Sequence, residues 1–356
     1  MNNTAEKVKV KSDIVKWVIR NSKVFIDSMP VDFRAKVNSW AEVDTEIEIT
    51  DIVKLSKYTK RPITTLLLPA PPKDEIKPKD FRGLKENNIF DKDAEIIFRN
   101  ANFLLYSIKY LIDSLNLGNQ QINQNVEFTY ENLPDKGKLI KDTMEKWGIT
   151  NGFQKEMQSS EEVLEFLINK IEGDSVFVFR FSNPSFSGFS FVNPIKAIFI
   201  NKLDKIERQV FTALHEYAHI KLNENAACGR LQEKEPKIEE WCDGFASNFL
   251  INNSEYDKMD KPVSKNQLIR YCNLYKVSKS MLLFNLFKKG IINEYKGEQI
   301  PFIRGKKGKK DKKTNSRRVE KDNRLEALIS KNLERGNISY IYVFYGILIN
   351  ILGILF

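Results

Sequence analysis

The chain has 356 residues, 42% of them hydrophobic and 29% charged, and a formal net charge of +10. That length exceeds the usual single domain, and the composition is that of a soluble globular protein built from two or three compact units. Its three cysteines, Cys228, Cys242 and Cys272, form no CxxC pair, which argues against a disulfide framework and for a reducing, cytoplasmic setting. The start, MNNTAEKVKVKSDIVKW, is polar and charged where a signal peptide would be apolar.

Taken in chain order, residues 1–68 read as a small helical domain, with apolar positions at helical spacing such as Ile14, Trp17 and Val18, then Ile52, Val53 and Leu55. Pro62, Pro69, Pro71, Pro72 and Pro78 then punctuate the chain and predict an extended connector over 69–90. Residues 91–171 read as helical again, around a polar loop, GNQQINQNVEFTYENLPDKG. The texture changes at 172–256. SVFVFRF and KAIFIN are short, aromatic and β-branched and read as two strands, separated by the turn-like SNPSFSG. Two amphipathic stretches follow, KIERQVFTALHEYAHIKL and KIEEWCDGFASNFLI, which together with the strands predict an α+β unit.

Residues 257–337 form a carboxy-terminal region, helical over 264–291, that contains a basic segment at 304–324. That segment holds eleven Lys or Arg against three acids, a net +8. Such a run reads either as a solvated linker or as a patch for nucleic acid or anionic lipid. The last nineteen residues, 338–356, are almost wholly apolar. As a helix they would be about 28 Å long, close to the roughly 30 Å hydrocarbon thickness of a bilayer, so they read as a membrane anchor or as a buried terminal helix.

His215 and His219 are the only histidines in the chain, and Glu216 follows the first in HEYAH. On a helix the two imidazoles project from one face a turn apart, as two ligands of one metal must. A catalytic zinc needs a third protein ligand and an open position for water, and Glu216 is placed to take that water's proton. A closed structural zinc site would use four Cys or His ligands, a supply the chain lacks. With no histidine left, the third ligand is a carboxylate or thiolate, and the next helix offers Glu239, Glu240, Cys242 and Asp243. Ile238, Trp241, Cys242, Phe245 and Phe249 make its apolar stripe, while Glu239 and Asp243 share a neighbouring face. Glu239 is the preferred ligand, with Asp243 accepting the N–H of a ligand histidine. Glu240 is the fallback and Cys242 a further option.

FTALHEYAHIKL followed by EEWCDGFASNFLI resembles the ImmA/IrrE family of zinc metallopeptidases, whose pattern is an HExxH helix and then an ExxAxxFAxxLL helix. On that resemblance Glu239 falls on the family's ligand glutamate and Asp243 on its usual Asn or Asp, while Cys242 replaces an alanine. KRPITTLLLPAPPKDEIKPKDFRGL is similar to the connector of members that carry an amino-terminal helix-turn-helix of the XRE type. IRNSKVFIDSMPVDFRAKVNSW departs from that type, because it lacks the small-residue turn of an intact motif. The resemblance implies a mainly helical α+β fold with a small sheet packed on a zincin-like core. It further implies a Zn2+-dependent endopeptidase that cleaves a transcriptional repressor in stress response or mobile-element control. A DNA-binding regulator with a sensory or structural metal domain is the alternative, with DNA contacts through 1–68 or 304–324. Family members continue after an ISY-like segment with an ordinary amphipathic helix. A membrane tether at 338–356 or a shifted reading frame would each produce this chain's apolar ending. The KAIFIN strand is expected to receive an extended peptide as an added strand beside the metal.

Overall fold

Lys7 and Lys9 alternate along one short strand and Glu46 and Glu48 along another, and antiparallel pairing sets Lys7 across from Glu48 and Lys9 across from Glu46. These strands, β1 (Lys7–Val10) and β2 (Thr45–Glu48), belong to a region whose sequence suggested helices alone. The computed structural model describes residues 7–61, 63–67, 70–71, 92–115, 132–182, 186–222, 235–261, 263–292 and 323–337. Described residues up to Asn102 form one compact unit and those from Phe103 onward a second.

In the first unit, α1 (Ser12–Asn21), α2 (Lys23–Asp27) and α3 (Val31–Trp40) lie between the two strands, and α4 (Ile49–Thr59) and α5 (Ile63–Leu66) follow them. Ile14, Trp17, Val18, Ile52 and Leu55 share its core, as the helical spacing predicted, together with Val37 and Trp40, while Val53 is only half-buried. The buried Arg61 guanidinium lies 4.4 Å over the Trp17 ring and donates to the Ser22 hydroxyl at 2.8 Å and the Asn21 carbonyl at 2.9 Å. It thereby ties the end of α4 back to the α1–α2 junction.

The long helix α6 (Lys92–Ser114) contributes residues to both units. The second unit continues with α7 (Lys136–Trp147), α8 (Ser160–Gly173), β3 (Phe177–Phe181), β4 (Gly188–Phe191), β5 (Ala197–Asn201) and α9 (Ile206–Lys221). After these come α10 (Glu235–Leu250), α11 (Asn253–Asp257), α12 (Lys265–Tyr275), α13 (Lys279–Lys288) and α14 (Asn323–Glu334). The fold class is α+β and mainly helical, as expected.

The sheet has the order β3-β5-β4, with β5 parallel to β3 and antiparallel to β4. The expectation for KAIFIN is therefore corrected. As β5 it is the middle strand, hydrogen-bonded on both sides, and has no edge to offer a peptide. SGFSF, of which only Ser187 and Gly188 fell in the turn-like SNPSFSG, supplies the third strand, β4, which lies at the edge of the described sheet. Period-two alternation divides the sheet into two chemically distinct faces. Val178, Ile198 and Ile200 point into the core that holds α8 and α9. Phe179, Phe189, Phe191 and Phe199 point the other way and pack ring on ring, Phe189 stacking on Phe199 at 4.5 Å.

α14 is held to the end of α6 by the buried amide of Asn332, which donates to the Leu111 carbonyl at 3.0 Å and accepts from the Ser114 hydroxyl at 2.6 Å. No helix among the described residues is long and apolar enough to cross a membrane. The apolar segment 338–356, the basic segment 304–324 except its last two residues, the connector 69–90 except residues 70 and 71, and Cys228 lie outside the described residues.

Candidate metal centre

α9 is the central helix of the second unit, and its burial explains its composition. Val210, Ala213, Leu214, Tyr217, Ala218 and Ile220 fill the core, and His215, Glu216 and His219 are themselves only 2 to 6% exposed. Polar groups buried that deeply need partners. α10 supplies them for the two histidines: its apolar stripe, Ile238, Trp241, Cys242, Phe245 and Phe249, is buried against α9 as the periodicity predicted, and this docking turns Glu239 toward the histidines.

The Nε2 atoms of His215 and His219 lie 3.0 Å apart. Glu239 places Oε2 at 3.3 Å from His215 Nε2 and Oε1 at 3.2 Å from His219 Nε2. The ligating atoms of these three residues all fall within 4.8 Å of one another. Four ligands at zinc–nitrogen distances in a tetrahedron stand roughly 3.3 Å from each other. The His–His–Glu triangle therefore has the edge lengths of one face of such a tetrahedron, and its donor set, two imidazoles and a carboxylate, suits a divalent metal. Asp243 Oδ1 sits 3.3 Å from His215 Nδ1, on the side of that ring away from the triangle.

The other two options on α10 are engaged elsewhere. Glu240 accepts from Lys288 at 2.8 Å, and that ammonium's hydrogen bond and charge hold its carboxyl below the usual range. Cys242 is fully buried in the stripe. Lys136 lies across α10 where Gly244 has no side chain, its ammonium 5.6 Å from the Trp241 ring. Burial, and after it the charge of Lys288, pushes the Lys136 ammonium down from its ordinary value.

Glu216 faces the sheet. A Cβ at Gly188 would collide with the Thr212 methyl, and would lie 3.0 Å from the Phe199 carbonyl and 3.3 Å from Glu216 Oε1. Gly188 and Ser190 occupy the side of β4 turned to α9, so glycine is what allows helix and strand to approach around Glu216. Gly188→Ala is expected to cost about 1–3 kcal/mol, the usual range for overpacking. Because the nearest obstacle is a β-branched methyl, Thr212→Ser in the same chain should recover most of that loss. Urea unfolding of the single and double variants checks this, and equal stability of Gly188→Ala and parent would contradict the contact. An isolated glycine in an alternating strand pattern was the one sequence signal for this position.

A second group of residues fixes α9 from behind. Asp174, just past α8, accepts from the Tyr217 hydroxyl, from Trp147 Nε1 at 3.3 Å and from Lys146 at 2.6 Å, with the Lys221 ammonium at 3.8 Å. Burial alone would raise the Asp174 carboxyl, but the hydrogen bonds from Lys146 and Tyr217 and the nearby positive charges outweigh it and hold it below its ordinary value. Tyr217 sits inside HEYAH, between the catalytic candidate Glu216 and His219, and burial followed by the Asp174 bond keeps its hydroxyl protonated. Nothing in the spacing of these residues announced the group, because its members come from α7, the end of α8 and α9.

No curated protein matches the chain. Residues 171–287, from the end of α8 into α13, match the family model described as the IrrE N-terminal-like domain, Peptidase_M78. Over that span, which contains His215, His219 and Glu239, the chain is similar to the ImmA/IrrE-type metallopeptidases, a family that implies a metal and a protein substrate.

Proposed function

We propose that the chain is a zinc-dependent endopeptidase that cleaves a transcriptional repressor, in stress response or mobile-element regulation. The observation that carries the reading is the triangle of His215, His219 and Glu239 with Glu216 beside it on the same buried helix. Zinc held by those three residues would polarise a scissile carbonyl and acidify a water. Glu216, one residue from a ligand and cradled by Gly188, takes the water's proton and delivers it to the leaving amine. Asp243 orients the His215 ring. β4, the edge strand beside Glu216, offers its backbone to an extended substrate, the role first expected of KAIFIN.

The test is zinc-loaded full chain incubated with candidate repressors, with cleavage expected to stop under chelation and return with zinc. Glu239→Ala should lose metal by elemental analysis, and Glu240→Ala should keep it. If neither variant loses zinc, the ligand assignment fails. A second reading, a DNA-binding regulator, draws on α2 and α3, which Ser28 to Pro30 join in helix-turn-helix order. The exposed face of α3 carries Asp32, and its Lys36 is paired with Asp51, which makes that face a poor match for phosphate. Operator binding without cleavage would favour this reading instead.

A further inference from the structure

A groove of about 480 Å³ lies between α7, the turn that follows it and the end of α10. Its volume falls within the roughly 300–1,000 Å³ of ligand-sized pockets. Ile140 and Met144 of α7, both buried, and Ile149 just past that helix give it an aliphatic floor. Asn248 stands nine residues after Glu239 on α10, or about two and a half turns, and so faces away from the metal centre.

Part of the polar lining is already engaged. Asn252 caps α11, accepting from the Glu255 amide at 3.1 Å, and Asn253 accepts from Lys289. Lys141 and Glu145 stand 3.8 Å apart along the rim and cancel each other's charge. The remaining polar groups are unspent: the side chains of Thr150, Asn151 and the half-buried Asn248 make no hydrogen bond to any described residue. A side-chain amide offers both donors and an acceptor, the same groups that a peptide bond presents. Met144 is unbranched and adapts its shape to what lies on it. No aromatic ring on which a sugar would stack is found among the described residues of the lining.

We propose that this groove is a second binding site, which takes an extended segment of a protein partner. Its backbone amides pair with Asn248, Asn151 and Thr150, and its uncharged aliphatic side chains rest on Ile140 and Met144. Under the peptidase reading that segment belongs to the substrate and is held away from the bond cleaved, but its capture does not depend on that reading. Fluorescence anisotropy of the metal-free full chain with labelled hexapeptide pools tests the proposal. One pool alternates Leu or Met with Ser, and two others carry Lys or Glu in place of the aliphatic residues. The aliphatic pool should bind saturably and roughly tenfold tighter than either charged pool, whose charges would be set against the aliphatic floor. Asn248→Leu should weaken its binding roughly tenfold, the scale for losing the hydrogen bonds of one amide, while Glu239→Ala should leave it unchanged. Asn248→Asp should move the preference toward the Lys pool, an exchange that a variant without its fold would not show. The proposal is overturned if the aliphatic pool does not bind, if Asn248→Leu and parent bind it alike, or if maltotetraose displaces it. Loss of binding in Glu239→Ala would also overturn it, by placing the peptide at the metal centre. Nothing is cleaved in this measurement, so its failure leaves the peptidase reading standing, and binding in a chain that cleaves no repressor would bring down that reading alone.

Discussion

Glu216→Gln is expected to keep metal at the parent's stoichiometry while cleaving substrate slower by roughly 10²–10⁴-fold in kcat, the range set by loss of a general acid–base group. The two halves of this result separate because Glu216 lies outside the ligand triangle. The side chain is 2% exposed and its Oε1 faces the space that Gly188 leaves open, so an amide of the same shape fits the same cradle. It cannot accept the water's proton. KM should change little, since the interaction removed is made in the transition state rather than in substrate binding. Steady-state kinetics beside elemental analysis measures both. A kcat within tenfold of the parent's would assign the proton to another group, and loss of metal would make Glu216 a ligand rather than a base.

Asp174→Ala should be the most damaging single change outside the metal centre, at about 3–5 kcal/mol, the scale for breaking a buried charged network. The carboxylate is 7% exposed, and its removal deprives Tyr217, Trp147 and Lys146 of an acceptor at once. Tyr217→Phe alone should cost about 1 kcal/mol, because it removes one partner and leaves Asp174 with its lysines. In Asp174→Ala the Tyr217 hydroxyl is stranded, so Tyr217→Phe added to that background should cost less than it does in the parent. The sign of the pH dependence follows from the depressed Asp174 value. A carboxyl held lower in the folded chain contributes stability above its ordinary 3.8 and loses it as pH falls through the folded value. Urea unfolding of metal-free protein at neutral and acid pH should show the gap between parent and Asp174→Ala closing on acidification. A gap independent of pH would remove the carboxylate charge from the account.

What could be read from the sequence was whatever repeats at a helical period. The stripe on α10 and the four-residue spacings of His215 with His219 and of Glu239 with Asp243 are local, and a helix fixes their geometry without knowledge of the fold. Strands depended on their neighbours. KVKV and TEIE gain their charge complementarity only when paired. The residues alone did not mark Gly188–Phe191 as a strand, because Gly188 and Ser190, small for the sake of α9, resemble loop residues. KAIFIN was legible as a strand, but its place in the middle of the sheet is a property of β3 and β4. The Asp174 group was illegible for the same reason: its three anchoring elements meet only in space.

The last described helix, α14, gives the second unit a schedule. Asn332 and Asn337 bond to Leu111 and Ser114 across 218 to 223 residues of sequence. Ribosomes add roughly 5–20 residues per second, so the far end of α6 is made about 10–45 s before the amides that cap its packing exist. The described residues of the first unit end at Asn102, so all of them are made before most of the second unit. The second unit carries contacts more than 200 residues apart at its latest-made described helix, and such contacts raise contact order and slow folding.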